Sequence, residues 1–192
     1  MGRRRFHLTL LAFGVAAAQV LFVQFGSCLS ADEQEHRMIS LGLKLFLPFL
    51  GADEDLAAKT APDGNLPVVV VYMSDVRQAT EMAQRLAQTE TLKGIPLKII
   101  TQSLDDLLES PAPYPAGVFL AERFGFDLPN LAHWGIEHRV LTFSPFSGDV
   151  EGGILGGVLV TDRILPYVNM QTLKRSGIHL KPFFLKIAAR YE

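Results

Sequence analysis

The sequence predicts an α/β fold, namely a single compact domain with a mostly parallel sheet, helices on both faces, a C-terminal β-hairpin and two final helices. Two observations predict it. After Pro67, short apolar runs alternate with amphipathic helical segments, which is typical of β-α-β units with right-handed crossovers. The composition, 48% hydrophobic and 20% charged over 192 residues, is that of one globular domain.

The first thirty residues predict export. Three arginines precede an uncharged run over residues 8–26, and acidic residues begin at Asp32. This order is typical of a secretory signal peptide, so we expect a signal over 1–30 and a globular domain over 32–192. A retained membrane anchor is the alternative, because a helix of this length reaches about 28 Å. In both cases the arginines stay in the cytoplasm and the domain is predicted to be periplasmic.

The only cysteine, Cys28, lies at this junction, so no internal disulfide can form. The sequence 25–28 resembles a bacterial lipobox, with Phe where Leu is usual, and acylation of Cys28 is therefore one alternative. The simpler one is that Cys28 belongs to a peptide that is discarded. Removing residues 1–30 takes three arginines and no acid from a net charge of −2, which leaves −5. An acidic domain is not expected to bind nucleic acid.

Apolar spacing predicts the first elements in order. Ile39, Leu43 and Phe46 recur at helical spacing within a helix over 32–50. The run of β-branched residues at 67–72 is typical of a strand buried on both faces. The same criteria predict strands at 97–101, 117–121 and 139–143 and helices at 76–86, 104–108 and 128–134.

The pattern changes after Ser144. Apolar segments at 154–160 and 163–169 flank Thr161-Asp162 and predict a hairpin. Gly152 and Gly153 precede it and are predicted to have a structural role in the backbone, because glycine permits a positive φ or a close approach of another chain segment.

Cap residues delimit the two final helices. Asn169 is predicted to cap a helix over 170–176, which Gly177 ends. Pro182 suits the first turn of a last helix, which we expect to continue through Arg190.

The sequence predicts no enzyme, no cofactor and no metal site. It lacks the GxGxxG and GxxxxGK[ST] phosphate loops and the GxSxG nucleophile elbow. His133 and His138 are five residues apart, whereas a metal pair on one helix face needs a spacing of four.

Ligands of open parallel sheets bind beyond the carboxyl ends of the strands. The polar residues predicted at those ends, which form the candidate ligand site, are Ser74, Asp75, Glu122, Arg123 and Ser144. For Asp75, capping of the following helix is the competing role.

The C-terminal segment is basic. Residues 163–192 contain six Lys+Arg and one acid, Glu192. Lys181, Lys186 and Arg190 are predicted to share a surface around the last helix and to bind an acidic partner or an anionic membrane. Compensation of the helix dipole is the alternative role.

C-terminal motifs of this chain resemble the YfiR family of bacterial periplasmic proteins. They are Gly152-Gly153-Ile154-Leu155, Asp162-Arg163-Ile164, Val168-Asn169, Leu173, Gly177-Ile178, Leu180-Lys181 and Phe184-Leu185-Lys186-Ile187-Ala188. The resemblance covers roughly residues 36–190, and its specific part lies in 140–190. This chain differs from the family's best-known member in two ways. It lacks the redox-sensing cysteines, and residues 47–50 stand in place of an aromatic signature.

The resemblance implies a compact α/β domain that represses a membrane-bound diguanylate cyclase and thereby tunes cyclic-di-GMP signalling. Our first hypothesis is therefore an exported regulatory protein that restrains a membrane-bound signalling protein, a diguanylate cyclase or a sensor kinase, by binding its extracytoplasmic part. The alternative is a periplasmic module that binds a small molecule at the strand ends. Peripheral or lipid-anchored membrane association and a homodimer are compatible with both.

Overall fold

The computed structural model describes residues 33–192, so the predicted signal segment and Cys28 lie outside the described residues. Contacts divide the chain after Arg37, and Met38–Glu192 form one compact unit. Its helices are α1 (33–50, continuing from before this unit), α2 (Val76–Leu86), α3 (Leu104–Glu109), α4 (Leu128–Glu137), α5 (Met170–Ser176) and α6 (Pro182–Ile187). Its strands are β1 (Leu66–Tyr72), β2 (Thr91–Leu92), β3 (Ile95–Ser103), β4 (Gly117–Leu120), β5 (Leu141–Ser144), β6 (Gly156–Val160), β7 (Ile164–Asn169) and β8 (Ala189–Tyr191). Two 3₁₀ turns cover Leu56–Lys59 and Gly125–Asp127.

The described strands form one sheet in the order β2-β3-β1-β4-β5-β6-β7-β8. Strands β3, β1, β4, β5 and β6 are parallel, while β2 and β7 run antiparallel to their neighbours β3 and β6. Strand β8 pairs parallel with β7. The predicted α/β class and mostly parallel sheet are thus confirmed, including the hairpin β6–β7.

Strand β1 shows why both faces of the sheet are covered. Its residues Val68 and Val70 belong to a core packed against α1 and α2, whereas Val69 and Val71 belong to a second core packed against α3 and α4. Successive strand side chains point to opposite faces, so alternate residues of an unbroken apolar run are buried in the two cores.

Five phenylalanine rings connect the elements of the first core. Phe46 on α1 lies 5.4 Å from Phe119 and 5.5 Å from Phe143, and Phe49 lies 5.6 Å from Phe143 and 5.0 Å from Phe184 on α6. These separations suit edge-to-face contacts between buried aromatic rings. The chain of rings fixes α1 and α6 to the same face of the sheet.

The last helix is shorter than its pattern predicts, and its extension through Arg190 is wrong. Helix α6 ends at Ile187, and Ala188 is extended with φ −80° and ψ 144°. Ala189–Tyr191 then pair with Tyr167–Asn169 of β7. A local helix pattern cannot report this pairing, because the partner strand lies about twenty residues away.

The predicted cap residues of α5 and the glycine pair before β6 adopt the following geometry. The Asn169 side chain accepts a hydrogen bond from Thr172 N at 2.9 Å, and Gly177 ends α5 with φ 65°. Gly153 has φ 111°, a region that favours glycine. A Cβ on Gly152 would lie 2.7 Å from Leu128 Cδ2, so the turn before β6 approaches α4 closely.

A second aromatic group lies at the amino ends of β4 and β5. The single tryptophan, Trp134, is buried at the end of α4, 5.9 Å from Tyr114 and 5.3 Å from His138. Tyr114 and His138 stack at 4.0 Å. Trp134 Nε1 has no hydrogen-bond partner among the described residues. Across residues 33–192, none of the helices has the length and apolar character that a membrane span requires.

Candidate functional site at the carboxyl edge of the sheet

Three neighbouring parallel strands end at one edge of the sheet. Strands β1, β4 and β5 are adjacent, and β1 lies beside β4 with Val71 opposite Leu120. The loops that follow them therefore leave the sheet together. This arrangement brings the predicted residues Ser74, Asp75, Glu122, Arg123 and Ser144 to a common edge.

Glu122 reaches across to the loop after β1. Its Oε1 accepts hydrogen bonds from the backbone amides of Met73 (2.7 Å), Ser74 (2.7 Å) and Asp75 (3.0 Å). Its Oε2 accepts from the Ser74 hydroxyl at 2.6 Å. We call these four residues the Glu122 nest, since successive backbone amides that converge on one point form an anion-binding concavity. In this chain the anion is the protein's own carboxylate.

These hydrogen bonds determine the charge of Glu122. Partial burial raises the pKa of its carboxyl, but the bonds from the Ser74 hydroxyl and the three amides together outweigh burial and hold the pKa below its usual value. Glu122 is therefore ionised at neutral pH. It carries a full negative charge at the carboxyl edge.

Asp75 performs the capping role. Its side chain accepts from Gln78 N at 2.8 Å and so caps α2. Gln78, which sequence reasoning did not single out, donates from Nε2 to Ala121 O at 2.6 Å. Helix α2 is thereby attached to the end of β4, beside the Glu122 nest.

A second carboxylate, Asp149, lies at the end of β5 and was missed in the sequence. The Ser144 hydroxyl donates to Asp149 Oδ2 at 2.6 Å and accepts from Phe146 N at 3.1 Å. Asp149 is 7% exposed. Burial raises its pKa, and the Ser144 bond and the charge of Arg123 offset this only in part. Its position in a Gly-Asp turn is typical of a surface residue, so no sequence signal marks it as buried.

Arg123 turns in the opposite direction from Glu122. Its Nη1 donates to Ser147 O at 3.1 Å, and its guanidinium lies 5.1 Å from the centre of the Phe146 ring. Glu122 thus extends to the β1 side and Arg123 to the β5 side of β4. The two opposite charges lie on either side of the end of this strand.

Apolar side chains border this edge. Met73 is 42% and Val76 50% exposed, and Phe126, four residues after Glu122, is fully exposed in the 3₁₀ turn before α4. Exposed apolar side chains mark contact surfaces where they form a contiguous patch.

The three predicted partner-binding cations lie near α6 but in different settings. Lys181 precedes the helix, and its Nζ donates to Gly51 O at 3.4 Å. Lys186 is exposed on the last turn of α6. Arg190 lies on β8, and its guanidinium donates to Leu185 O.

Other features of the described residues lie away from this edge. Within 33–192, no group of three His, Cys, Asp or Glu side chains is arranged to hold a metal ion. An open groove of about 460 Å³ lies between α2 and β3, where Ala83 and Ile99 are among its lining residues. None of Ser74, Glu122 and Ser144 lines this groove.

Comparison with known proteins identifies the fold and no family. No protein-family model matches the chain, and no curated protein matches it. A similar solved structure is the ligand-free, open form of CD0873, a substrate-binding protein with adhesive properties from Clostridium difficile, with 13% identity and a TM-score of 0.50 over 72% of this chain. A conserved domain protein from Vibrio cholerae gives 14% identity and a TM-score of 0.51 over 70% of this chain. The chain spans 58% and 57% of those two proteins. At these identities the likeness establishes the α/β fold alone.

Proposed function

We propose that this chain is an exported, periplasmic binding protein without catalytic activity, and that it captures a small cationic molecule at the carboxyl edge of β1, β4 and β5. The observation that carries the proposal is the Glu122 nest. All three converging amides donate to Glu122 Oε1, so they are not available to an anionic ligand. The edge presents an ionised carboxylate instead.

The geometry of the nest favours an amine. Glu122 Oε2 accepts one hydrogen bond, from Ser74, and a carboxylate oxygen has room for a second donor. The apolar border of Met73, Val76 and Phe126 suits an apolar group attached to that amine. Periplasmic binding proteins close domains around ligands, and this chain spans little more than half of the similar binding protein, so the described edge would supply one side of such a site.

The test compares 2-phenylethylamine with 3-phenylpropanoate, which differ mainly in charge. We expect the amine to raise the Tm of the protein, because a ligand that binds only the folded state stabilises it. In Glu122→Gln, an amide carbonyl replaces Oε1 and still accepts the three backbone bonds, while the charge is lost, and the effect of the amine should disappear.

Glu137→Gln is the matched control, because Glu137 is an exposed glutamate on α4 whose carboxylate lies 4.0 Å from His133 Nε2. It should retain the response to the amine. Equal stabilisation by the carboxylate, or an undiminished amine response in Glu122→Gln, would exclude the proposal.

A second candidate is restraint of a membrane-bound diguanylate cyclase or sensor kinase through its extracytoplasmic part. The fully exposed Phe126 favours it, since aromatic residues are the usual anchors of protein interfaces. We expect the wild-type chain to retain one membrane protein from its own cell extract, Phe126→Ser to lose it, and deletion of the gene to raise signalling output. Unchanged signalling after deletion would remove this candidate and leave the small-molecule role.

A further inference from the structure

Helix α6 carries two apolar side chains on its outer face. Phe183 is 61% and Ile187 57% exposed, whereas Phe184 is buried against Phe49 at 5.0 Å. Residues three and four apart share a helix face, so Lys186 lies on the same face as Phe183 and Ile187.

Two cations border the apolar pair. Arg190 donates to Leu185 O from Nε (3.3 Å) and Nη2 (2.9 Å), which holds its guanidinium at the C-terminal end of α6. Lys186 makes no ion pair or hydrogen bond with any other residue in the described part of the chain, so its ammonium is available. We call Phe183, Lys186, Ile187 and Arg190 the α6 patch.

The charge around the patch has one sign. Residues 163–191 contain six Lys+Arg and no Asp or Glu, although the chain without residues 1–30 has a net charge of −5. Of these cations, Arg163 is paired with Asp162 at 3.7 Å and Lys181 is directed to Gly51 O. Lys186 and Arg190 of the α6 patch lie beside the exposed apolar side chains of α6.

We propose that the α6 patch docks the domain on the anionic phospholipid surface of a membrane. Shallow insertion of Phe183 and Ile187 buries apolar area, while Lys186 and Arg190 meet lipid phosphates, which is the composition of protein segments that lie in the membrane interface. A lipid surface needs only net charge and a short apolar projection. An acidic protein would need acids at fixed positions opposite each cation. This docking uses no residue of the Glu122 nest and is independent of the proposed ligand.

The test uses the full chain with Cys28→Ser and an environment-sensitive fluorophore on Phe183→Cys. The control carries the fluorophore on Phe126→Cys, which replaces a phenylalanine at the carboxyl edge that is more exposed than Phe183. Vesicles are phosphatidylcholine alone or with about a quarter phosphatidylglycerol. We expect the label at 183, and not the label at 126, to shift its emission to the blue with the anionic vesicles only. Any contribution from residues 8–26 is the same in both proteins.

Charge variants then distinguish binding through the α6 patch from an effect of the net charge of the domain. Each cation near an anionic surface contributes roughly fivefold to partitioning, so Lys186→Gln with Arg190→Gln should weaken binding about 25-fold. Lys174→Gln with Arg175→Gln removes the same charge from α5, which carries none of the exposed large apolar side chains, and should leave binding within about threefold. Phe183→Ser, at a solvent-exposed position, tests insertion without touching β8 and should also weaken binding.

Three outcomes would overturn the proposal. They are no shift at 183 with anionic vesicles, equal shifts at 183 and 126, and equal weakening by the two charge variants. If soluble polyglutamate shifts the label while the vesicles do not, an acidic protein surface is the partner instead.

Discussion

Two carboxylates at neighbouring strand ends differ in almost every physical respect. Glu122, beyond β4, is partly exposed and accepts four hydrogen bonds, whereas Asp149, beyond β5, is buried and accepts one side-chain bond, from Ser144. The pKa of Glu122 is lowered and that of Asp149 is raised. The comparison teaches that the balance between burial and the number of hydrogen-bond donors around a carboxylate determines whether its charge stabilises the protein.

Removing the Glu122 carboxylate should have the largest effect. Glu122→Ala leaves three amides and the Ser74 hydroxyl without their acceptor, and we expect a loss of about 2–3 kcal/mol in the free energy of unfolding. Water replaces part of the lost bonding because the loop is exposed. Urea unfolding followed by circular dichroism measures this loss. Glu122→Gln keeps an acceptor oxygen and should lose about half as much, and equal losses in the two variants would show that charge alone matters.

Asp149→Asn should have a smaller and opposite effect. At pH 7 the variant should be as stable as wild type or about 1 kcal/mol more stable, because a desolvated charge is removed while Ser144 keeps an acceptor. An acid whose folded pKa is raised costs stability above that pKa, and the cost disappears as pH falls through it. The difference between wild type and variant should therefore vanish on acidification. A clear loss of stability in the variant at pH 7 would contradict this account.

Acidification acts in the reverse direction on Glu122. Its lowered pKa means that its contribution is complete above the unfolded value, near 4.5, and is lost as pH falls through the folded value. As pH falls, wild type should therefore lose stability relative to Glu122→Gln and gain it relative to Asp149→Asn. Unfolding curves recorded across the acid range measure both stability differences as a function of pH.

Ser74→Ala should have the smallest effect, about 0.5–1 kcal/mol, since it removes one of the four bonds to Glu122 at an exposed position. The three amides keep Oε1 in place. The pKa of Glu122 in this variant should be slightly higher than in wild type, because a hydrogen bond to the ionised carboxylate is lost. The contribution of Glu122 to stability should therefore be lost at a slightly higher pH. A loss as large as that of Glu122→Ala would mean that the hydroxyl, and not the amides, holds the carboxylate.

Local patterns were sufficient for much of the fold. The β-branched run of β1 and the helical periodicity of α1 each report burial directly, because a strand or helix buries residues at its own period. Arg190 was misplaced because its strand exists only through pairing with β7. Strand β2 has two residues and is too short to show the alternation that indicates a strand.

The candidate site was predicted in its location and not in its chemistry. Ser74, Asp75, Glu122, Arg123 and Ser144 do lie at the carboxyl edge, since parallel strands end together. The closure of Glu122 on residues 73–75 depends on the register of β1 against β4 across 47 or more residues, which no local spacing encodes. The burial of Asp149 depends in the same way on how the turn before β6 folds back on β5.

The enclosure of Trp134 gives this protein a built-in optical reporter. Because the chain has one tryptophan, all indole emission comes from the amino ends of β4 and β5, beside Tyr114 and His138. Trp134 belongs to the second core, whereas α6 packs against the first core through Phe184. Unfolding of the second core, to which Trp134 belongs, should therefore shift the wavelength of maximum emission to the red.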